Sequence, residues 1–242
     1  MSEIHRVFNF GAGPAVLPEA VLAQVQRDLL ALPSVGMSVL EISHRSPTFT
    51  EIIETTRTNI RKLAGLPDDY HALFTTGGAT QQFAMVPMNL LAPGRTADYI
   101  VTGSWAKKAA QEAKRFGSVH IAANTEIEEF SRVPEQSELT LSTDSAYVHL
   151  TSNNTIFGTQ WRQIPKFRDR VLIVDASSDI FSRLLDFGKD GIDLIYAGAQ
   201  KNLGPAGVTL VIVRDELLQQ ADEGDRILPT MLKYATYAKS AS

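Results

Sequence analysis

From residue 71 onward, the sequence alternates short apolar runs rich in β-branched residues with segments of helical pattern. The apolar runs are predicted to be strands over residues 72–75, 98–102, 119–122, 146–151, 171–175, 193–197 and 208–213. Helical patterns are predicted over residues 79–91 and 104–117 and from residue 215 onward. This alternation is typical of a mostly parallel sheet covered by helices on both faces, and it predicts an α/β fold.

The first 65 residues have a different character. Residues 1–17 form a Gly/Pro-rich N-terminal arm, followed by a helix that begins near Pro18. A second helix is predicted to begin near Thr48, where Thr48 and Glu51 have the spacing of a capping box. We predict one large domain over residues 18–232 and an irregular tail over residues 233–242.

The composition narrows the class of protein. The formal net charge of -4 gives no electrostatic reason to expect nucleic acid or an anionic membrane as a partner. The chain contains no cysteine, so thiolate metal sites and cysteine nucleophiles are excluded, and we predict no metal site. Neither a signal peptide nor an apolar run of about 20 residues is visible, so we expect a soluble, cytoplasmic protein.

Two charged residues follow predicted strands at the edge where parallel sheets bind ligands. Lys201 lies in a Gly- and Ala-rich loop, an environment that suits a lysine desolvated enough to attack a carbonyl group. Taken alone, it is more often an exposed lysine on a turn. Asp175 ends the apolar run 171–174, where it could face a cofactor or, equally well, cap the following turn.

Three further features lie at predicted strand ends. Gly77 and Gly78 open a helix, and the backbone N–H groups of the next residues, Ala79 and Thr80, form a potential anion site. Trp105 could stack on a flat ring, although a tryptophan is more often part of the core. Thr155 could donate a hydrogen bond to a ligand or could be an ordinary turn residue.

Each feature is weak alone, but the set is more specific. An anion-binding turn, an aromatic plate, a hydroxyl, a carboxylate and a lysine are the parts that a pyridoxal 5'-phosphate (PLP) site requires. A Rossmann-like nucleotide site is less consistent with the sequence, because the phosphate-binding fingerprint is absent.

The motifs resemble those of the phosphoserine aminotransferase family, among the class V aminotransferases of the type I PLP fold. The resemblance runs from about residue 7 to residue 232 and is most specific around Asp175 and Lys201. It is carried by Phe8-Asn9-Phe10, Gly13-Pro14-Ala15, Leu17-Pro18, Ser43-His44-Arg45, Gly77-Gly78-Ala79, Gln82-Phe83, Thr102-Gly103-Ser104-Trp105, Asn154-Thr155-Ile156, Val174-Asp175-Ala176-Ser177-Ser178 and residues 196–207.

The resemblance implies a role for each site residue. Lys201 would hold PLP covalently and move the substrate proton, and Asp175 would pair with the pyridine nitrogen. His44 and Arg45 would lie at the substrate entrance, with Arg45 binding an anionic group. The remaining implied cofactor contacts are Trp105 on the ring, Thr155 on the ring oxygen, and Ala79, Thr80 and Gln200 on the phosphate.

The resemblance also implies a reaction and an assembly. The amino group of glutamate would pass to 3-phosphohydroxypyruvate, giving phosphoserine and 2-oxoglutarate in serine biosynthesis, and the enzyme would be a homodimer. A related acceptor of vitamin B6 (pyridoxine) biosynthesis, the precursor of 4-phosphohydroxythreonine, stays open.

The sequence departs from the family in two ways. Thr80 stands where some members have an arginine, and the family's Asn-Thr-Pro-Pro segment and smaller C-terminal domain do not follow residue 232. A catalytically silent remnant that binds PLP is therefore the alternative to an active transaminase.

Overall fold

The computed structural model describes residues 6–167, 169–223 and 228–240. Residues 1–5 of the predicted arm and residues 241–242 of the predicted tail lie outside these ranges. The strands are β1 (Tyr70–Thr75), β2 (Thr96–Val101), β3 (Ser118–Asn124), β4 (Ser145–Thr151), β5 (Asn153–Asn154), β6 (Thr159–Gln160), β7 (Leu172–Asp175), β8 (Leu194–Gly198) and β9 (Thr209–Arg214). The helices are α1 (Glu19–Leu30), α2 (Pro47–Ala64), α3 (Gly78–Leu90), α4 (Ser104–Ala113), α5 (Phe187–Asp190), α6 (Asp215–Glu223) and α7 (Tyr234–Ser240).

Seven strands form one sheet in the order β1-β9-β8-β7-β4-β2-β3, and β5 pairs with β6 in a separate two-stranded ribbon. Strand β9 is antiparallel to both of its neighbours, β1 and β8, whereas the pairs from β8 to β3 are parallel. The prediction of a mostly parallel sheet is confirmed.

Both faces of the sheet are buried. Helices α3, α4, α6 and α7 cover one face, while α2, α5 and the segment before β7 cover the other. Successive residues of a strand point to opposite faces, so Val211 of β9 packs in the first layer and Ile212 in the second. Double burial explains why these strands are continuously apolar.

The start of α2 differs from its prediction. The predicted capping box of Thr48 and Glu51 is wrong, because the helix begins at Pro47 and its N-cap lies two residues before Thr48. Ser46 is the N-cap, and its hydroxyl accepts a hydrogen bond from the backbone N–H of Phe49 at 3.3 Å. Pro at the first helical position favours this start, since its fixed φ suits a helix and it has no N–H to satisfy.

The prediction of an irregular tail after residue 232 is also wrong. Helix α7 is short, but Tyr234 is buried, and its hydroxyl donates a hydrogen bond to Oε1 of Gln82 in α3. Asn89 of α3 accepts from the backbone N–H of Tyr234 and donates to the carbonyl of Leu232. The tail is ordered by these buried tertiary contacts, which a local sequence pattern does not contain.

Helix α1 keeps its apolar side outside the core. The predicted apolar residues Val21, Leu22, Val25 and Leu29 lie on the helix, but each is at least 37% exposed. No helix within the described ranges is both long and apolar enough to cross a membrane.

Candidate active site

A pocket of about 250 Å³ opens at the carboxyl ends of the parallel strands. Its walls come from the starts of α3 and α4, the segments that follow β4 and β7, and the loop after β8. The lining residues are Gly77, Gly78, Ala79, Thr80, Phe83, Trp105, Thr151, Asn153, Thr155, Asp175, Ser177, Ser178, Gln200 and Lys201. The fold thus brings together seven of the nine residues predicted for the site.

Asp175 is the last residue of β7 and is 3% exposed. Burial raises the pKa of its carboxyl to about 6, and the nearby charge of Asp179 acts in the same direction. Hydrogen bonds from Ser177 and from the Tyr196 hydroxyl oppose that rise in the pKa of Asp175. The Ser177 hydroxyl lies 2.6 Å and its backbone N–H 3.0 Å from Oδ1 of Asp175. The carboxylate therefore holds the following turn and also lines the pocket, and its role toward a cofactor stays a prediction.

The start of α3 offers an anion site. Gly77 and Gly78 have positive φ values of 81° and 68°, which residues with a side chain rarely adopt. This sharp turn points the beginning of α3 at the pocket, and no side chain in the described part of the chain caps the helix. The first-turn N–H groups near Ala79 and Thr80 are therefore suited to an anionic group of a ligand.

Lys201 lies half-buried in the loop after β8. The carbonyl of Ala199 accepts hydrogen bonds from the backbone N–H groups of Leu203 and Gly204, so the loop forms a tight turn around the lysine. The N-terminal arm closes over it: the backbone N–H of Ala15 donates to the carbonyl of Gln200 at 2.8 Å. No local sequence pattern indicates this contact between residues 185 positions apart.

Trp105 and Thr155 both line the pocket, and their contacts with a cofactor stay predictions. Trp105 lies in the first turn of α4, and Nζ of Lys108 sits 4.5 Å from the centre of its ring. Thr155 is exposed and follows the short strand β5. Asn154 of β5 packs closely against Gly103, because a Cβ atom on that glycine would lie 2.5 Å from Oδ1 of Asn154.

His44 and Arg45 do not join the pocket. Both side chains are exposed in the turn before α2, and neither belongs to the pocket lining. The backbone N–H of Arg45 is fixed by the hydroxyl of Ser43 at 3.1 Å. Their assignment as substrate-binding residues stays a prediction.

Several lining residues had no predicted contact role. Phe83, Thr151, Asn153, Ser177 and Ser178 face the same space. The Asp-x-Ser spacing of Asp175 and Ser177 is a local signal for a side-chain-capped turn and could have identified Ser177. Thr151 carries no such signal, yet its buried hydroxyl has no hydrogen-bond partner within the ranges that the structure describes.

Comparison with known families matches residues 7–241 to the model of the aminotransferase class-V family. The chain belongs to this family. The phosphoserine aminotransferase of Herpetosiphon aurantiacus is 50% identical over 236 residues, which are 98% of this chain and 64% of that protein. The chain therefore spans a little under two thirds of the length of this curated relative.

Solved structures of class-V relatives agree with the fold. The phosphoserine aminotransferase of Bacillus circulans subsp. alkalophilus superposes with a TM-score of 0.92 at 46% identity, covering 97% of this chain and 64% of that one. The PLP-bound phosphoserine aminotransferase of Trichomonas vaginalis gives a TM-score of 0.88 at 32% identity, covering 97% and 65%.

Proposed function

We propose that this chain carries the PLP-binding part of a transaminase that moves the amino group of glutamate to 3-phosphohydroxypyruvate. The products would be phosphoserine and 2-oxoglutarate. One observation carries the proposal: a buried carboxylate, Asp175, and a half-buried lysine, Lys201, border the same pocket as the uncapped start of α3. The names of the class-V relatives supply the substrate class.

The residues of the pocket fit PLP. Its dianionic phosphate suits the N–H groups at the start of α3, and its flat ring suits the indole of Trp105. Thr151 offers a buried hydroxyl without a partner in the described part of the chain, and Thr155 a second hydroxyl. PLP, when bound, supplies a ring that delocalises the negative charge developing at the substrate Cα.

The protein's own groups would prepare that ring and move the proton. Ionised Asp175 would hold a proton on the pyridine nitrogen, and burial strengthens this interaction because water does not screen it. Lys201 would hold the cofactor through Nζ, and the same nitrogen would serve as the base that accepts the proton from the substrate Cα. Gln200 would add a polar contact to the phosphate.

Substrate capture and assembly complete the proposal. Arg45 would bind a carboxylate or phosphate of the substrate bidentately, and His44 would assist it. Because both are exposed outside the pocket of the single chain, we propose that a homodimer completes the substrate site. We place the enzyme in the cytoplasm, acting on small anionic substrates.

The test of cofactor binding is an absorbance titration with PLP, followed by borohydride reduction and peptide mapping. A visible band and a reduced adduct confined to Lys201 support the proposal. Lys201→Ala should abolish both, whereas Lys114→Ala, outside the pocket lining, should abolish neither. An adduct spread over other lysines, or one that survives in Lys201→Ala, would contradict the proposal.

Turnover with glutamate separates the active enzyme from a silent binder. The alternative to the active enzyme is a protein that binds PLP without turning over substrate. Formation of 2-oxoglutarate with 3-phosphohydroxypyruvate supports the transaminase. The reaction is also tried with the precursor of 4-phosphohydroxythreonine as the acceptor. If PLP is trapped on Lys201 but neither acceptor yields 2-oxoglutarate, the chain is a silent PLP-binding protein.

A further inference from the structure

Behind the pocket, three polar residues form a buried line. Asp175 of β7 pairs in register with Tyr196 of β8, so the two side chains lie next to each other on the same face of the sheet, and the Tyr196 hydroxyl acts to lower the pKa of the Asp175 carboxyl. On its other side, the Tyr196 hydroxyl lies 2.9 Å from Nε2 of His149 in β4. His149 and Tyr196 are at most 1% exposed, so their hydrogen bond is shielded from bulk water.

His149 is held as a neutral imidazole. Burial lowers the pKa of its ring to about 3, and the ring is 1% exposed. The ring stacks on Tyr99, with 4.8 Å between the ring centres and an interplanar angle of 24°. A neutral imidazole has one N–H donor and one acceptor nitrogen, so its tautomer decides the direction of the bond to Tyr196.

The surroundings select the tautomer. Nδ1 of His149 is buried and has no hydrogen-bond partner in the described part of the chain. A proton on Nδ1 would be an unsatisfied buried donor, and Nε2 would then draw the Tyr196 proton away from Asp175. With the proton on Nε2, His149 donates to Tyr196, and Tyr196 is free to donate to the Asp175 carboxylate.

We propose that His149 is a positioning residue, which donates through Nε2–H to the Tyr196 hydroxyl and thereby commits the tyrosine proton to Asp175. This proposal rests on the proposed function, because it explains how the carboxylate stays ionised beneath the pyridine nitrogen. His149 touches neither cofactor nor substrate and acts through Tyr196.

The neighbouring groups leave this role to the histidine. Around His149 stand the phenols of Tyr99, Tyr147 and Tyr196, whose pKa values burial raises, so they stay neutral. The hydroxyls of Tyr147 and Tyr99 are hydrogen-bonded to each other, with 2.9 Å between the two oxygens, and this bond does not involve Asp175.

Around Asp175 stand Ser177, Tyr196 and the carboxyl of Asp179, and Lys201 lines the same pocket. The Asp179 carboxylate already accepts hydrogen bonds from the hydroxyl of Ser152 and the side-chain amide of Gln160. Ser177 is therefore the neutral donor hydrogen-bonded to Asp175 in the described part of the chain, and Tyr196, the in-register neighbour of Asp175, is the group that connects it to His149.

The tautomer is tested directly by ¹⁵N NMR of the imidazole in the full chain, without cofactor. We expect His149 to be neutral with its proton on Nε2 from pH 5 to pH 8, and its signals are assigned by their loss in His149→Gln. A proton on Nδ1, or an imidazolium at pH 7, would overturn the proposal.

Variants test whether the donor matters to Asp175. His149→Phe keeps an aromatic ring at this position but removes the N–H donor. The side-chain amide of His149→Gln can still donate a hydrogen bond from a similar place. The measurement is the ¹³C titration of the Asp175 carboxyl in the cofactor-free chain, assigned by its loss in Asp175→Asn. We expect its pKa to rise by about 1 in His149→Phe and to stay near the native value in His149→Gln.

Tyr147→Phe is the matched control, since it deletes a buried hydroxyl that does not touch Asp175. Equal Asp175 titration in the native chain and His149→Phe would overturn the proposal, as would an equal rise in Tyr147→Phe. PLP affinity at pH 6.5 is then expected to fall about tenfold in His149→Phe only. If the native chain binds no PLP, the proposed function fails, but the carboxyl titration still decides the role of His149.

Discussion

Gly13 packs directly on the aliphatic stem of Lys201: a Cβ atom on Gly13 would lie 3.2 Å from Cγ and 3.6 Å from Cε of the lysine. The residue also has a φ of 152°, which residues with a side chain rarely adopt. The N-terminal arm therefore forms part of the wall that orients the lysine, although the two segments are far apart in sequence.

Gly13→Ala is expected to weaken PLP binding roughly tenfold, because the added methyl group pushes on Lys201 and strains the backbone by about 1–2 kcal/mol. Absorbance titration with PLP measures the effect. Gly204→Ala is the control, since nothing lies within 4 Å of its added carbon and its φ is not in the positive range. Equal affinities of the two variants would show that the arm does not position the lysine.

Asp175 is expected to make the cofactor-free chain less stable as the pH rises. Its pKa is raised from 3.8 to about 6 in the folded chain, so the folded state holds a proton that the unfolded state has lost between these values. This stabilising contribution is complete below pH 3.8 and disappears as the pH rises through 6, a change of about 3 kcal/mol. Urea unfolding of the native chain and of Asp175→Asn at pH 4 to 7 measures it. The free energy of unfolding of the variant, minus that of the native chain, should increase with pH; a flat difference would be inconsistent with a desolvated carboxyl.

His149 is expected to act in the opposite direction. Its pKa is lowered from 6.5 to about 3. Between these pH values, the unfolded chain binds a proton at His149 that the folded chain does not bind. This contribution to stability is present above pH 6.5 and is lost as the pH falls toward 3, by about 2.3 kcal/mol between pH 6.5 and pH 4.5. His149→Gln removes this titration, so its stability relative to the native chain should improve on acidification. A native chain that lost no more stability than the variant would contradict a buried neutral ring.

Ser46→Ala is expected to lower the free energy of unfolding by about 1 kcal/mol, because it removes the oxygen that caps α2. Thr48→Ala is the matched control: Thr48 lies inside the helix and was the predicted cap, but the structure gives that place to Ser46. Chemical denaturation of both variants measures the difference. A larger loss in Thr48→Ala would restore the predicted capping box.

Strands and pocket were largely predictable for a physical reason. Doubly buried parallel strands are apolar along their whole length, and their carboxyl ends meet at one edge, so Asp175, Lys201 and Ala79 could be expected together. The resemblance to class V aminotransferases supplied the functional meaning of the set, which is weak residue by residue.

Features that depend on distant packing were not predictable. The contact of Gly13 with Lys201 and the order of the tail around Tyr234 arise from segments brought together only by the complete fold. The bond of His149 to Tyr196 is of the same kind: a histidine in an apolar strand gives no sign of the partner it meets two strands away. The exposure of His44 and Arg45 likewise depends on the tertiary position of their turn.

The reversed strand β9 has a consequence for the order in which the site is completed during synthesis. Strand β1 leads into the Gly77–Gly78 turn, yet it is an edge strand, and its one neighbour in the sheet is β9. The ribosome makes Tyr70 144 residues before Arg214, the residue that it pairs with. A nascent chain can therefore carry Asp175 and Lys201 while the turn that we propose binds the phosphate still lacks the support of β9. Cofactor capture is expected to wait for the last strand, which makes PLP a reporter of complete synthesis of the sheet.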